Sequence, residues 1–122
     1  MTIYTSYFAK LRQIPDHIVP ISICAKAPDC YKGLQYKKLA PKYSFLMKYK
    51  QDRNASAYIE CFQKEILSLL NQEDVLSELM ELSEEKDIVL LCFEKSQDFC
   101  HRHLVADWLN VNQQASVKEW GI

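Results

Sequence analysis

The segment 87–93, DIVLLCF, constrains the fold of this chain more than any other. It is almost uniformly apolar, whereas a strand with one solvated face alternates apolar and polar residues. Such a run is typical of a strand that is covered on both faces in a parallel sheet. The segment therefore predicts a central strand of an α/β domain.

Two other segments, 2–8 (TIYTSYF) and 17–25 (HIVPISICA), also have the composition of strands. Pro20 cannot donate a ladder hydrogen bond, so it favours an edge or a strand start in the second of them. The segment 116–120 (SVKEW) is compatible with a last short strand.

Helical spacing replaces the strand pattern between these segments. Apolar residues recur every three to four positions in 56–70 and again in 73–82, where Asn71 is a suitable cap. A further helix is expected over 99–110, with Asp98 or Ser96 as its cap. The segment 26–43 is predicted to be a long irregular loop, and Phe45 and Tyr49 after it are expected to be core anchors on a helix.

This order of elements predicts a small single α/β domain over residues 1–122, with a mainly parallel sheet of three or four strands flanked by helices. The architecture would be Rossmann-like without the glycine fingerprint. The chain has only Gly33 and Gly121, so neither that fingerprint nor a Walker loop is possible.

The N-terminal segment lacks the features of a signal peptide, and no apolar run is long enough to span a bilayer. These features predict a cytoplasmic protein without a membrane partner. Five cysteines, an odd number in such a chain, are expected to be reduced thiols. No pair has CxxC spacing, so neither a thioredoxin-like motif nor a zinc ribbon is supported.

Residues 92–103, CFEKSQDFCHRH, concentrate the reactive side chains of the chain. In open α/β sheets, ligands bind where strands end and helices begin, so Cys92, Glu94, Cys100, His101 and Arg102 predict a site. A cation in the first turn of a helix is disfavoured by the helix dipole, which predicts an anion or carboxylate near His101 and Arg102. The alternative is structural: Glu94 pairs with Arg102, and Cys100 packs as a small hydrophobe.

Two sharper chemistries are disfavoured by spacing. A phosphatase loop needs an arginine six residues after its cysteine, but Asp98 and Ala106 occupy those positions. Metal binding by the cysteines and histidines has plausible ligand types but unusual spacing. No metal and no cofactor are therefore expected, and His103 is expected to be an exposed helix residue.

A basic stretch provides a second candidate surface. The net charge is −1, yet residues 26–53 contain eight Lys or Arg and only two acids. Tyr36, Lys37 and Lys38 within it suit the bases and phosphates of a nucleotide or a single nucleic-acid strand. The alternative is that the aromatic residues are core anchors and the lysines are solvated.

Four segments together resemble the family called domain of unknown function 488. They are IYTSYF, KAPDCYKGLQYKKLAPK, CFEK and FCHRHLVADWL. The family's C-x-E and C-H-R pattern falls on Cys92, Glu94, Cys100, His101 and Arg102. The resemblance implies a compact α/β domain with a site at these residues, and it implies no particular reaction.

Three functions are consistent with these residues. The first is an enzyme acting on a phosphorylated small molecule, nucleotide or nucleic acid, with Cys100 as nucleophile, Glu94 or His101 moving protons, and Arg102 binding the anion. The second is a non-catalytic nucleotide- or nucleic-acid-binding module. The third is a thiol redox sensor that uses Cys92 and Cys100.

Overall fold

The structure is a computed structural model that describes residues 2–93, 99–111 and 116–120. Its strands are β1 (Ile3–Tyr7), β2 (Ile18–Ser22), β3 (Leu34–Gln35), β4 (Asp87–Cys92) and β5 (Val117–Glu119). Its α-helices are α1 (Tyr43–Asp52), α2 (Ala55–Glu65), α3 (Gln72–Leu82) and α4 (His101–Asn110). Three 3₁₀ helices cover Phe8–Gln13, Lys37–Leu39 and Leu67–Leu69.

The five strands form one sheet in the order β3-β2-β4-β1-β5, and each neighbouring pair is parallel. The predicted α/β class and parallel sheet are confirmed. The predicted number of strands was too low, because β3 is a two-residue strand inside the segment expected to be an irregular loop. Pro20 lies where β2 pairs with β4 but beyond the short pairing with β3, which is why an internal strand accepts it.

Strand β4 has the central place that its composition predicts. Each residue from Ile88 to Cys92 is 0% exposed. Ile88 and Leu90 pack into the larger core cluster under the α-helices, whereas Val89 and Leu91 pack on the opposite face with Phe8 and Leu11. A run without polar residues is therefore required at this position.

The helices begin and end mostly where local chemistry predicts. Asn71 accepts a hydrogen bond from the Asp74 amide and caps α3, as expected, and Asn54 caps α2 in the same way through Ala57. Phe45 is buried and Tyr49 packs against the same core, which confirms their predicted role as core anchors.

Helix α4 differs at its start from the expectation. Its N-cap is Cys100, which makes no side-chain capping hydrogen bond, so the prediction of Asp98 or Ser96 as cap was wrong. Asp98 and Ser96 themselves lie outside the described residues. Helix α4 packs across β1, β4 and β5, and this packing places its first turn against the ends of three strands.

No helix within residues 2–93, 99–111 and 116–120 is long and apolar enough to cross a bilayer.

Replacing Leu90 by alanine tests the central role of β4. Leu90 is 0% exposed, and truncation of a buried leucine typically costs about 2–5 kcal/mol. We expect Leu90→Ala to lower the free energy of unfolding in urea by that amount. Leu69→Ala is the control, because Leu69 is 75% exposed and its loss should change stability little. Equal effects of the two variants would contradict the assigned core.

Candidate functional site

The candidate site lies on the helix-covered face of the sheet, at the carboxyl ends of β1, β4 and β5. Cys92 is the last residue of β4, and Cys100 immediately precedes α4. Side chains alternate along strands, so Thr5 and Tyr7 of β1 and Glu119 of β5 face the same helix. The geometry brings Cys92, Cys100, His101 and Arg102 together, as the sequence predicts for the ends of parallel strands.

Cys92 and Cys100 form a disulfide in the structure. Both are buried, with exposed fractions of 0% and 3%. The expectation that all cysteines are reduced is therefore wrong for this pair in this state. Cys24, Cys30 and Cys61 are outside disulfides, and Cys24 packs in one buried cluster with Cys92 and Cys100.

Arg102 is fully buried and forms a two-pronged ion pair with Glu119. Its Nε donates to Oε1 at 3.2 Å, and its Nη2 donates to Oε2 at 3.0 Å. Such a planar match is typical of buried arginine–carboxylate pairs. The expected anionic partner of Arg102 is therefore present, but it comes from β5, whereas Glu94 lies outside the described residues.

Three further groups surround this ion pair. The Thr5 hydroxyl donates to Glu119 Oε1 at 2.6 Å, and the Tyr7 ring centre lies 5.7 Å from the Arg102 guanidinium carbon. The guanidinium also donates from Nη1 to Cys92 Sγ at 3.1 Å. Arg102 therefore joins β5, β1 and β4 to the first turn of α4.

The hydrogen bonds of His101 assign its tautomer. Its Nε2 lies 2.6 Å from the carbonyl oxygen of Ile23. A carbonyl only accepts, so Nε2 carries the proton and Nδ1 carries the lone pair in the neutral ring. Nδ1 lies 3.8 Å from Cys100 Sγ. The basic nitrogen of a buried histidine thus faces the sulfur of its neighbour.

Burial is the main reason that the pKa of His101 is lowered to about 4. The hydrogen bond to Ile23 raises this pKa, and the charges of Arg102 and His103 lower it. His101 is therefore neutral at pH 7. His103, expected to be exposed, is instead half-buried on α4.

A cavity of about 370 Å³ opens beside Cys100 and His101. Its walls are largely aromatic and include Tyr43, Tyr49, Tyr58, Phe93 and Phe99. Tyr49 and Tyr58 hold the Phe99 ring, with ring centres 5.1 and 5.0 Å from it. Two exposed lysines, Lys26 and Lys50, also line the cavity. The cavity therefore combines flat aromatic surfaces with two cations.

The residues predicted to bind a ligand in the basic stretch lie elsewhere. Lys38 forms an ion pair with Glu78 at 2.8 Å, and the Tyr36 hydroxyl donates to the same carboxylate. The Lys38 hydrogen bond is the largest cause of the lowered pKa of Glu78. Lys37 donates to the backbone carbonyl of Ala25. Among the described residues, Tyr36, Lys37 and Lys38 are not part of the cavity lining.

Several residues of the site were missed by sequence reasoning. The missed residues, Thr5, Tyr7 and Glu119, lie in segments that the sequence predicts to be strands. Side chains alternate along a strand, so residues 5 and 7 share one face of β1, and residues 117 and 119 share one face of β5. This alternation could be read from the sequence, but it identifies site residues only when the order of the strands, which brings β1 and β5 beside α4, is known. The aromatic cavity walls gave no separate signal, because core aromatics have the same spacing.

Removing the carboxylate of Glu119 should strongly destabilise the fold. Glu119→Gln leaves a buried guanidinium without its ion-pair partner, which typically costs about 3–5 kcal/mol. Urea unfolding measures this loss. Glu65→Gln is the matched control, since the Lys42–Glu65 pair is exposed and its loss should have little effect. A Glu119→Gln protein as stable as the control variant would contradict the importance of the pair.

His101 should make stability depend on pH. Between about pH 6.5 and about pH 4 the unfolded chain binds a proton at this residue and the folded chain does not, so stability falls as pH decreases. The expected loss is about 3 kcal/mol at pH 4. Urea unfolding across this range should give a smaller pH dependence for His101→Gln than for the natural protein. His17→Gln, at an exposed position, should leave the dependence unchanged, and the same result for both variants would contradict the assignment.

Comparisons with known proteins identify the family of the chain. Neither the curated proteins nor the solved structures contain a match to the chain. The profile of the family DUF488-N3a, described as the active DUF488-N3 subclade, matches residues 11–113. The matched range covers most of the chain and contains the sulfur, imidazole and guanidinium groups of the site, and the chain belongs to this family.

Proposed function

We propose that this protein is an enzyme that processes a nucleotide, or another phosphorylated compound with an aromatic ring, in the cavity beside Cys100. Cys100 is the nucleophile, His101 is its base, and Lys26 and Lys50 bind phosphate. The observation that carries the proposal is that Nδ1 of His101 faces Cys100 Sγ at the wall of this aromatic cavity.

The cavity supports a planar, anionic ligand. Tyr43 and Phe93 line the cavity and are 70% and 53% exposed, so their rings are available for stacking, which contributes about 1–3 kcal/mol per base in nucleic-acid complexes. Lys26 and Lys50 lie on the same walls, where ammonium groups can neutralise phosphate charge. A volume of about 370 Å³ is within the range of small-molecule sites.

The pair of Cys100 and His101 supports nucleophilic chemistry. A thiol is activated when a neighbouring base removes its proton, and the hydrogen bond to Ile23 orients the base. In the reaction, the sulfur of Cys100 attacks the electrophilic atom of the ligand while its proton passes to His101 Nδ1, since a base with a pKa lowered to about 4 does not hold that proton beforehand. The leaving group then takes the proton from the imidazolium. Water cleaves the bond between the sulfur and the ligand, its hydroxyl going to the product and its proton returning Cys100 to the thiol. A dithiol reductant must first supply two electrons and two protons, which convert the disulfide to two thiols while the dithiol becomes a disulfide.

Arg102 takes a different part from the one its sequence position suggests. It is 0% exposed and bonded to Glu119 and Cys92, so it positions the sulfur and the helix start while the two lysines bind the anion. Glu94 lies outside the described residues, and its part in moving protons stays a prediction. The description of the matched family as an active subclade also supports catalysis over simple binding.

The disulfide favours a second candidate function, a thiol redox sensor. A peroxide would oxidise the Cys100 thiolate to a sulfenic acid while it is itself reduced to water or an alcohol. The Cys92 thiolate would then displace water from the sulfenic acid and form the disulfide. Cys92 is essential to disulfide formation but takes no part in nucleophilic attack on a cavity ligand. Substitution of Cys92 therefore distinguishes a redox sensor from an enzyme.

The proposal predicts that a nucleotide protects Cys100 from alkylation in the reduced protein. We would label with iodoacetamide in the presence of adenosine and guanosine 5′-monophosphates or a short oligothymidylate, and measure each cysteine by mass spectrometry. Protection of Cys100 with unchanged labelling of exposed Cys30 is expected. Lys26→Ala and Lys50→Ala should weaken binding and its salt dependence, whereas Lys38→Ala, away from the cavity, should not.

Turnover of a protecting compound then distinguishes catalysis from binding. Cys100→Ser should abolish product formation, measured by chromatography and mass spectrometry, and Cys92→Ser should retain it. Protection without product from any tested compound would favour a binding module. Full activity of Cys100→Ser would overturn the assigned nucleophile, and reversible peroxide oxidation with no protection would favour the sensor.

A further inference from the structure

We propose that the reduced protein binds a divalent metal ion of the zinc class through Cys92 Sγ, Cys100 Sγ and His101 Nδ1. The inference goes beyond the proposed function and does not depend on it. It explains why two thiols and an imidazole converge in a buried position where a single nucleophile and base would be sufficient for catalysis.

The three groups are close enough to share one ion. The ligand atoms of Cys92, Cys100 and His101 all lie within 4.8 Å of one another. Zinc bonds to sulfur are about 2.3 Å long and those to nitrogen about 2.0–2.1 Å, so ligand atoms of one tetrahedral ion are separated by roughly 4 Å or less. Separation of the two sulfurs after reduction, with small shifts of the side chains, is therefore sufficient to admit the ion.

The surroundings have the outer-shell contacts that metal ligands usually need. His101 donates its Nε2 proton to the Ile23 carbonyl at 2.6 Å, which leaves Nδ1 as the only lone pair for a metal. Ligating histidines commonly donate their other nitrogen in this way. Arg102 donates to Cys92 Sγ at 3.1 Å, and such a hydrogen bond stabilises a thiolate ligand.

A count of formal charges selects a divalent ion. Arg102 and Glu119 cancel each other as an ion pair, and His101 is a neutral ligand. Two thiolates in this buried region would leave an uncompensated charge of about −2, which is costly away from water. A divalent cation cancels it, whereas a monovalent ion leaves about −1. The disulfide is the other neutral form of the same two sulfurs.

The cavity provides access to the ion and a place for a further ligand. Cys100 and His101 line the cavity and Cys92 does not, so a ligand in the cavity would be next to two of the three protein ligands of the ion. Sites with three protein ligands and one open position are typical of zinc that binds water or substrate. The inference therefore places the ion between the buried ion pair and the ligand cavity.

Metal binding and the disulfide exclude each other. A dithiol or phosphine reductant supplies two electrons, and with two protons the disulfide becomes two thiols while the reductant is oxidised. The divalent ion then replaces the two thiol protons, which pass to the buffer. In the metal-bound state Cys100 is a ligand and cannot also act as the attacking thiolate.

Titration of the reduced protein with Co²⁺ tests the site. The protein is reduced with a phosphine, desalted without oxygen and titrated while absorption is recorded. One equivalent of Co²⁺ should produce a thiolate-to-metal band in the near ultraviolet and a tetrahedral visible spectrum, and Zn²⁺ should displace it. Cys92→Ser and Cys100→Ser are expected to weaken binding at least about 100-fold, more than the loss of an outer-shell contact usually does.

Cys24→Ser is the matched control, because Cys24 is buried in the same cluster but its sulfur lies outside the three-atom group. It should bind Co²⁺ as the natural protein does. If Cys24→Ser loses binding as completely as Cys92→Ser, or if the natural protein shows no thiolate band, the inference is overturned.

Alkylation of the natural protein covers the case in which a serine variant fails to fold. One equivalent of Zn²⁺ should protect Cys92 and Cys100 together from iodoacetamide and leave Cys30 and Cys61 reactive. Unchanged labelling of the pair would overturn the inference. These binding measurements need no turnover, so the metal site and the proposed nucleophile are tested independently. If added Zn²⁺ increased the turnover of a substrate, the role of Cys100 as a free thiol nucleophile would be wrong and the metal site would be supported.

Discussion

The buried pairing of Arg102 with Glu119 is the interaction on which the rest of the site depends. It joins the first turn of α4 to the edge strand β5. It also contacts β1 through Thr5 and Tyr7, and β4 through Cys92. A guanidinium without exposure to solvent requires an anion, since the cost of an uncompensated buried charge is several kcal/mol. The position of His101 and Cys100 beside the cavity follows from that requirement, because they occupy the same turn.

The sequence was sufficient to predict the architecture because β4 has one simple physical property. The run from Ile88 to Cys92 has no polar side chain, and such a run is typical of a parallel strand that is covered on both faces. The short strand β3 could not be predicted, because two residues in a proline-containing segment carry no periodicity. Its pairing with β2 depends on tertiary contacts, including the Tyr31 hydroxyl, which donates to the Leu34 carbonyl oxygen at 2.7 Å and lies 3.2 Å from that of Pro20.

The clustering of Cys92, Cys100, His101 and Arg102 was also predictable, since strand ends and helix starts meet at one edge of a parallel sheet. The partner of Arg102 was not. The sequence pattern offered Glu94 as a partner, but Glu119 of β5 pairs with Arg102 because β5 lies beside β1. Sequence alone also left two roles open for Lys37 and Lys38. A lysine can bind the phosphate of a ligand or a carboxylate of its own chain, and in the fold Lys38 pairs with Glu78 of α3.

The sulfurs of Cys92 and Cys100 give the site more than one state without net charge. These states correspond to the disulfide, the dithiol and the metal-bound form. With the Arg102–Glu119 pair neutral overall, the disulfide, the dithiol and a dithiolate with a divalent ion each avoid a net buried charge, whereas a bare dithiolate does not. The two cysteines have unequal surroundings, because Cys100 lines the cavity and adjoins His101 Nδ1, whereas Cys92 is fully buried and accepts a hydrogen bond from Arg102. This difference is the basis of the proposed division of roles, in which Cys100 attacks a cavity ligand and Cys92 has an internal role.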